Sequence, residues 1–158
     1  MKIMDDPTTE QHIDIQIARL CDKIKLPSKK IEQLINSICL RFGLSKAIIS
    51  IAIVDDEHII KLNEKYLRSK KVTDCLSFDL SDGQSPGEKC FEIVVNAELA
   101  CRTAEQKDHS PRAELALYIA HGLLHQLGFD DQTGEQARQM HRTEQEILQS
   151  LGYDFLYD

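Results

Sequence analysis

The alternation of apolar and polar positions divides this chain into four short segments typical of strands and five longer ones typical of helices. Ile13, Ile15 and Ile17 alternate with polar residues, which is the two-residue period of a half-buried strand. A β-branched, apolar run over residues 47–54 predicts a buried strand. The predicted strands are residues 12–18, 47–54, 73–78 and 91–96, and the predicted helices are residues 29–42, 57–67, 97–107, 111–127 and 133–151.

These elements predict an α/β (α+β) fold, in which a mixed sheet of about four strands packs with about five helices. The length of 158 residues favours a single domain over residues 1–158, with residues 1–10 as a flexible arm. The stretch from 47 to 78 predicts a parallel β-α-β unit. Ser28 is the expected N-cap of the first helix, and Leu40 and Tyr66 are expected to face inward with their apolar neighbours.

Composition narrows the function classes. No apolar run reaches 18 residues, which excludes a membrane-spanning helix, and the first residues lack a signal-peptide core. Five cysteines without a CxxC pair are typical of reduced, mostly buried thiols in a cytoplasmic protein. A net charge of −7 argues against a generic nucleic-acid coat, because phosphate contacts need cations. The basic residues of 61–71 are interpreted as a solvated surface.

The helix predicted at 111–127 carries the strongest chemical signal. His121 and His125 stand four residues apart, on one side of the helix, about 5–6 Å apart at Cβ. Gly128 lies where a helix-ending glycine belongs, so that the chain can fold back and bring Asp130 or Asp131 to the same point. Two imidazoles and a carboxylate leave one position open on a tetrahedral ion. The pattern predicts a metal site at the C-terminal end of this helix, with Zn²⁺ as first choice and manganese, cobalt or ferrous iron compatible.

Two alternatives accompany that hypothesis. The histidines could be buried and neutral, hydrogen-bonded to backbone carbonyls. The spacing also matches the metzincin peptidases, whose third ligand comes ten residues after the first, at the position of Asp131 here. The general base of those peptidases follows the first histidine, and that position is Gly122, which has no side chain. Peptide hydrolysis by the usual route therefore lacks its base.

Two motifs together resemble the YbeY-type endoribonuclease family. The first is LNEKY at 62–66 followed by TDCLSF at 73–78, and the second is HGLLHQLGFDD at 121–131. The strand FEIVV at 91–95 also looks like the strand that precedes the metal helix of the family. The likeness spans about residues 10–151, nearly the whole chain.

The resemblance implies a metal-dependent, single-strand-specific endoribonuclease of the bacterial cytoplasm, acting in rRNA maturation and ribosome quality control. Single-stranded RNA or rRNA and components of the small ribosomal subunit are the expected partners, with neither DNA nor a membrane among them. The three metal histidines of the family map to His121, His125 and position 131. That last position is Asp131, with Asp130 as the rival ligand. The family arginine falls on Leu67, so Arg68 becomes the candidate catalytic cation.

The remaining polar residues leave the mechanism open. Asp74 is a candidate general base, although a structural role at the start of a strand is the more frequent one for this residue type. Ser77 could position a phosphate or simply be exposed, and His109 and His141 are interpreted as surface residues. Two other functions stay possible at this point: a non-catalytic ribosome-assembly factor with a structural metal, and a metallopeptidase.

Overall fold

A four-stranded mixed sheet in the order β1-β2-β4-β3 forms the centre of the fold. The computed structural model describes residues 11–83 and 87–154, so the arm predicted at 1–10 lies outside the described residues. The strands are β1 (His12–Arg19), β2 (Lys46–Val54), β3 (Cys75–Asp79) and β4 (Lys89–Asn96). The helices are α1 (Ser28–Arg41), α2 (Asp56–Leu67), α3 (Ala97–Lys107), α4 (Pro111–Gln126) and α5 (Gly134–Ser150).

Strand pairing overturns the parallel unit predicted over residues 47–78. β1, β2 and β4 are parallel neighbours, whereas β3 pairs only with β4, antiparallel, at the edge of the sheet. The reason lies in burial. An inner strand needs apolar side chains on both faces, and β4 supplies Phe91 and then the consecutive buried run 93–95, whereas in β3 only Leu76 is fully buried. The parallel β-α-β unit of this fold is instead β1-α1-β2.

The two faces of the sheet pack against different helices. Ile49, Ile51 and Ile53 of β2 join the main core, which includes α1, α4 and α5. The next residue, Val54, belongs to a second cluster with Ile59 of α2 on the opposite face. α4 is buried at every residue from 113 to 120 and again from 122 to 124, so it is the central helix of the main core. The element that carries both histidines is therefore the most firmly embedded helix of the described residues.

Three local predictions are wrong. Ser28 is the first residue of α1 rather than its cap, and its hydroxyl instead accepts a hydrogen bond from Arg19 of β1 at 3.1 Å. Leu40 is 74% exposed, because Cys39, fully buried, occupies the inward position of that turn. Tyr66 is 55% exposed, and its ring leans on Phe78 with the centroids 5.4 Å apart.

The ends of α4 and α5 follow their sequence signals. Pro111 opens α4, and the hydroxyl of Ser110 accepts hydrogen bonds from the next two free amides. Thr133 and Gln136 form a reciprocal capping box at the start of α5. All five cysteines are free, although only Cys39 is fully buried. Within 11–83 and 87–154, no helix combines the length and the apolar character needed to cross a bilayer.

Candidate metal centre

Three side chains converge at the C-terminal end of α4. The Nε2 atoms of His121 and His125 are 3.0 Å apart, and Asp131 Oδ2 lies 3.6 Å from each of them. Two ligand atoms that each lie roughly 2.0–2.2 Å from one ion can be no more than about 4.4 Å apart. All three separations satisfy that limit, so the atoms can share a single cation.

Both imidazole rings are oriented through their other nitrogen. His121 Nδ1–H donates a hydrogen bond to Oε2 of Glu144 at 2.8 Å. Glu144 belongs to α5 and is fully buried. His125 Nδ1–H donates to the carbonyl oxygen of Phe129 at 3.0 Å. A carbonyl or an ionised carboxylate can only accept a hydrogen bond, which places the proton of each ring on Nδ1. The two Nε2 lone pairs are thereby left facing the same point, which is the arrangement of metal-binding histidines.

The charge around His121 favours a cation at this point. Two bare nitrogens 3.0 Å apart repel each other unless a positive charge, a proton or a metal ion, lies between them. Burial acts to lower the pKa of His121, but the hydrogen bond that His121 donates to Glu144 and the charges of Glu144, Asp74 and Asp131 outweigh it and raise the pKa above its ordinary value. The donor set and its surroundings therefore fit a divalent metal.

The turn after α4 distinguishes the two candidate aspartates. Gly128 adopts a left-handed conformation with φ of +102°, which reverses the chain. Asp130 Oδ1 then accepts the backbone N–H of Asp131 at 2.8 Å, while the carboxylate of Asp131 faces both histidines. The edge-on contact between Phe129 and Phe42, with centroids 5.3 Å apart, fixes the turn against α1. The geometry favours Asp131 over Asp130 as the third ligand.

Arg68 does not join this cluster. It is the C-cap of α2, exposed and left-handed with φ of 53°, so the chain is already leaving the helix at this residue. Among the described residues, no hydrogen bond or ion pair connects its guanidinium to His121, His125 or Asp131.

Other polar residues have clearer structural roles. The Ser77 hydroxyl accepts a hydrogen bond from the side-chain amide of Gln126 at 2.8 Å, which joins β3 to the last residue of α4. His109 is not a surface residue, since its side chain is 11% exposed and its ring nitrogen is bonded to the buried carboxylate of Glu114. His141 is exposed, as predicted, and lines a cavity beside His121 together with Asp74.

Sequence reasoning missed Glu144. The residue falls on the apolar side of α5 among Met140, Ile147 and Leu148, all buried. A glutamate is rarely buried without a partner, so an acidic residue at an inward position of an amphipathic helix was the available signal. The carbonyl of Phe129 had no such signal, because a backbone acceptor leaves no trace in the sequence.

Gly122 marks the closest approach of α4 to the sheet. A Cβ atom at this position would lie 2.7 Å from Cys75 Sγ of β3 and 2.7 Å from Cγ2 of Ile93 of β4. The position therefore points into the core and away from the cluster. A side chain placed here could not serve as the general base of a peptidase.

Comparison with known proteins gives consistent results. A family model described as "Endoribonuclease YbeY" matches residues 16–152. A protein named "Endoribonuclease YbeY" from Carboxydothermus hydrogenoformans is 32% identical over 141 residues, which cover 88% of this chain and 98% of that protein. One of the same name from Anaeromyxobacter sp. (strain Fw109-5) is 39% identical over 110 residues, 70% of this chain, but the match spans only 57% of that longer relative.

A solved structure supports the fold. The solution structure of a Thermotoga maritima protein superposes with a TM-score of 0.56, at 22% identity, and the match covers 86% of this chain and 90% of that one. At that identity the likeness concerns the arrangement of strands and helices alone.

Proposed function

Because this chain belongs to the YbeY family, we propose that it is a metal-dependent endoribonuclease that cleaves single-stranded RNA during rRNA maturation and ribosome quality control in the cytoplasm. One observation carries the proposal: His121, His125 and Asp131 converge, and both imidazoles are held with Nε2 directed to the shared point. Components of the small ribosomal subunit are the proposed partners. Membership of the family supports the nuclease activity, and the converging side chains support its dependence on a metal.

The proposed cofactor is one Zn²⁺ ion held by His121, His125 and Asp131. Two imidazole nitrogens and one carboxylate oxygen form a borderline set that zinc accepts with a fourth position open. When bound, the cation supplies Lewis acidity, which lowers the pKa of water and polarises a phosphoryl oxygen.

The chain itself contributes orientation and charge. Glu144 and the Phe129 carbonyl fix both rings, so the ligand atoms need no rearrangement. The hydrogen bond between Gln126 and Ser77 holds the end of α4 against the edge strand β3. Arg68, exposed at the left-handed end of α2, is proposed to neutralise negative charge that develops on the phosphoryl oxygens.

Asp131→His is expected to strengthen zinc binding. An imidazole would replace a carboxylate that is 40% exposed and would restore the three-histidine set of the family. The protein loses a negative charge at the ligand set, so bound water becomes more acidic. Competition with a chromophoric chelator would show the dissociation constant for zinc falling by about tenfold or more, in line with the ligand preferences of the ion. The matched control is Asp130→His, and a gain in that variant instead would identify Asp130 as the ligand.

Glu144→Gln is expected to weaken metal binding by about 10- to 100-fold, the usual effect of removing a group that orients a ligand. The amide preserves the size of the side chain but removes the charge that keeps the proton on His121 Nδ1. Glu146→Gln, on the same helix but exposed and paired with Arg41 at 2.7 Å, is the control and should leave the affinity unchanged. If the two variants bound the metal ion equally tightly, Glu144 would have no role in metal binding.

The function itself is tested by cleavage of a labelled single-stranded RNA by the purified zinc-loaded protein. Cleavage should stop with a chelator and return with added zinc, while duplex RNA and single-stranded DNA of the same sequence remain intact. An intact RNA substrate under these conditions, together with copurification of small-subunit proteins, would instead identify a non-catalytic assembly factor. No observation favours a peptidase, since position 122 faces the sheet.

A further inference from the structure

A cavity of about 420 Å³ opens directly beside His121. The loop that leads into β3 lines it with Val72, Thr73 and Asp74, and α3 and α4 supply most of the other lining residues. The volume falls in the range of pockets that hold small organic ligands, roughly 300–1,000 Å³. Because His121 belongs to both the cavity and the metal cluster, a group that fills the cavity lies next to whatever the cluster holds.

The apolar part of the lining suits a flat ring. Val72, Leu99 and Leu117 come from three different elements and offer aliphatic surface to the cavity. Val72 is 43% exposed, although it is a large aliphatic residue that burial would favour. A ring that packed against these side chains would remove that surface from water.

The polar part of the lining is mixed, with the carboxylates of Asp74 and Glu114 among hydroxyl, imidazole and ammonium-bearing side chains. Glu114 is 2% exposed, and its carboxylate is bonded to His109 inside the protein. Asp74 has acceptor capacity left, since the described residues give its carboxylate one hydrogen bond, from the Thr73 hydroxyl at 3.3 Å, whereas a carboxylate can accept about four. Two carboxylates repel a phosphate group. Asp74 therefore supplies the acceptor that stays open to a ligand, and it fits an uncharged ring that carries N–H donors.

We propose that this cavity binds the base of a nucleotide adjoining the scissile phosphate, an inference that rests on the proposed nuclease function. In this arrangement Asp74 selects bases that carry an exocyclic amino group over uracil. Single-stranded RNA offers unstacked bases whose Watson–Crick edges are free to be read. Cytosine N4 and adenine N6 donate to a carboxylate, and guanine donates through N1 and N2. Uracil has an oxygen where cytosine has its amino group, and its N3–H, the one donor of that edge, is flanked by two oxygens that repel a carboxylate.

Lys107 completes the arrangement from the end of α3. Lys107 is exposed, lies in the last turn of the helix and lines the same cavity. It provides a cation for the phosphate attached to the bound nucleotide, while the acidic walls receive the base. The cavity thus separates the two parts of a nucleotide by charge.

The inference is tested first by binding alone. Calorimetric titration of the zinc-loaded full chain with cytidine 5′-monophosphate and with uridine 5′-monophosphate isolates the base, because the two probes share ribose and phosphate. We expect cytidine 5′-monophosphate to bind about tenfold more tightly, the discrimination typical of one well-formed base contact. Equal affinities in the unmodified protein would overturn the proposal.

Asp74→Asn sharpens the measurement. The amide keeps the shape of the side chain but can donate to the uracil oxygen, so the difference between the two nucleotides should disappear. Asp108→Asn is the control: it removes the same charge from an exposed residue that follows Lys107 and is the left-handed C-cap of α3. It should retain the tenfold preference. A preference that survives in Asp74→Asn would assign the selection to another group and overturn the proposal.

A cleavage experiment separates this inference from the proposed function. In oligouridylate with a single internal cytidine, the unmodified protein should cut next to the cytidine, and whatever cleavage Asp74→Asn retains should lack that preference. Cleavage at every position with equal nucleotide affinities would leave the nuclease standing and overturn the base pocket. No cleavage of any oligonucleotide, with the binding preference intact, would contradict the nuclease and support the pocket.

Discussion

Alanine in place of His125 is expected to abolish metal binding and RNA cleavage while the protein stays folded. The variant removes one of two imidazole ligands, and the remaining His121 and Asp131 offer too few donors for a stable catalytic zinc. A metal ion typically contributes several kcal/mol to phosphoryl chemistry, so its loss corresponds to at least about a hundredfold lower rate. Elemental analysis of the purified variant gives the metal content, and a fluorescent single-stranded RNA gives the rate.

The cost to folding should be small. The His125 side chain is 30% exposed, and the hydrogen bond from its Nδ1 to the Phe129 carbonyl is worth about 1 kcal/mol. His58→Ala is the matched control, because His58 is an exposed histidine at the start of α2, paired with Asp55. Full metal content in the His125 variant would refute the proposed metal site. Loss of metal in the His58 variant would show that the measured metal content does not depend on that site alone.

Alanine in place of Gly122 is expected to destabilise the fold by about 1–3 kcal/mol, the usual cost of an extra methyl group in a packed core. Its Cβ would lie 2.7 Å from both Cys75 Sγ and Cγ2 of Ile93, and one of the two layers has to move. The better helix propensity of alanine, worth up to about 1 kcal/mol, offsets part of this. Urea denaturation followed by circular dichroism would show a lower midpoint with an unchanged slope.

Two further variants identify the cause. In Gly134→Ala the added Cβ meets only Arg138 Nη1 at 3.5 Å, an ordinary contact, so its midpoint should stay close to that of the unmodified protein. Adding Cys75→Ala to Gly122→Ala removes one of the two close contacts and should restore part of the stability. A double variant as unstable as Gly122→Ala would mean that the contact of the added Cβ with Ile93 alone causes the loss of stability.

The element pattern was readable from the sequence because most segments have a single environment. The period of two in β1 and the caps of α4 and α5 report local physics, and the α/β arrangement built from them is confirmed. Strand order was not predicted, because the burial on both faces that distinguishes β4 from β3 is a property of the assembled sheet rather than of either segment alone. The inward assignments of Leu40 and Tyr66 were wrong because apolar character was weighed above position on the helix.

The candidate site was readable for a different reason. His121, His125 and Asp131 lie within one short segment, so helix periodicity and one glycine turn suffice to bring them together. Glu144 lies 23 residues further along, and its contact depends on how α5 packs against α4. The described residues show no hydrogen bond or ion pair between Arg68 and the three residues of the candidate metal site. The identity of the ion and the role of Arg68 stay predictions.

The tether between His121 and Glu144 has a consequence for the order of events during synthesis. The ribosome completes α5 after α4, so the carboxylate that orients the first imidazole is made last among the parts of this centre. A nascent chain that ends before residue 144 lacks the acceptor for His121 Nδ1–H, whereas the Phe129 carbonyl that orients His125 is already present. If this centre holds a metal ion, it would reach full affinity only after the final helix is complete and docked.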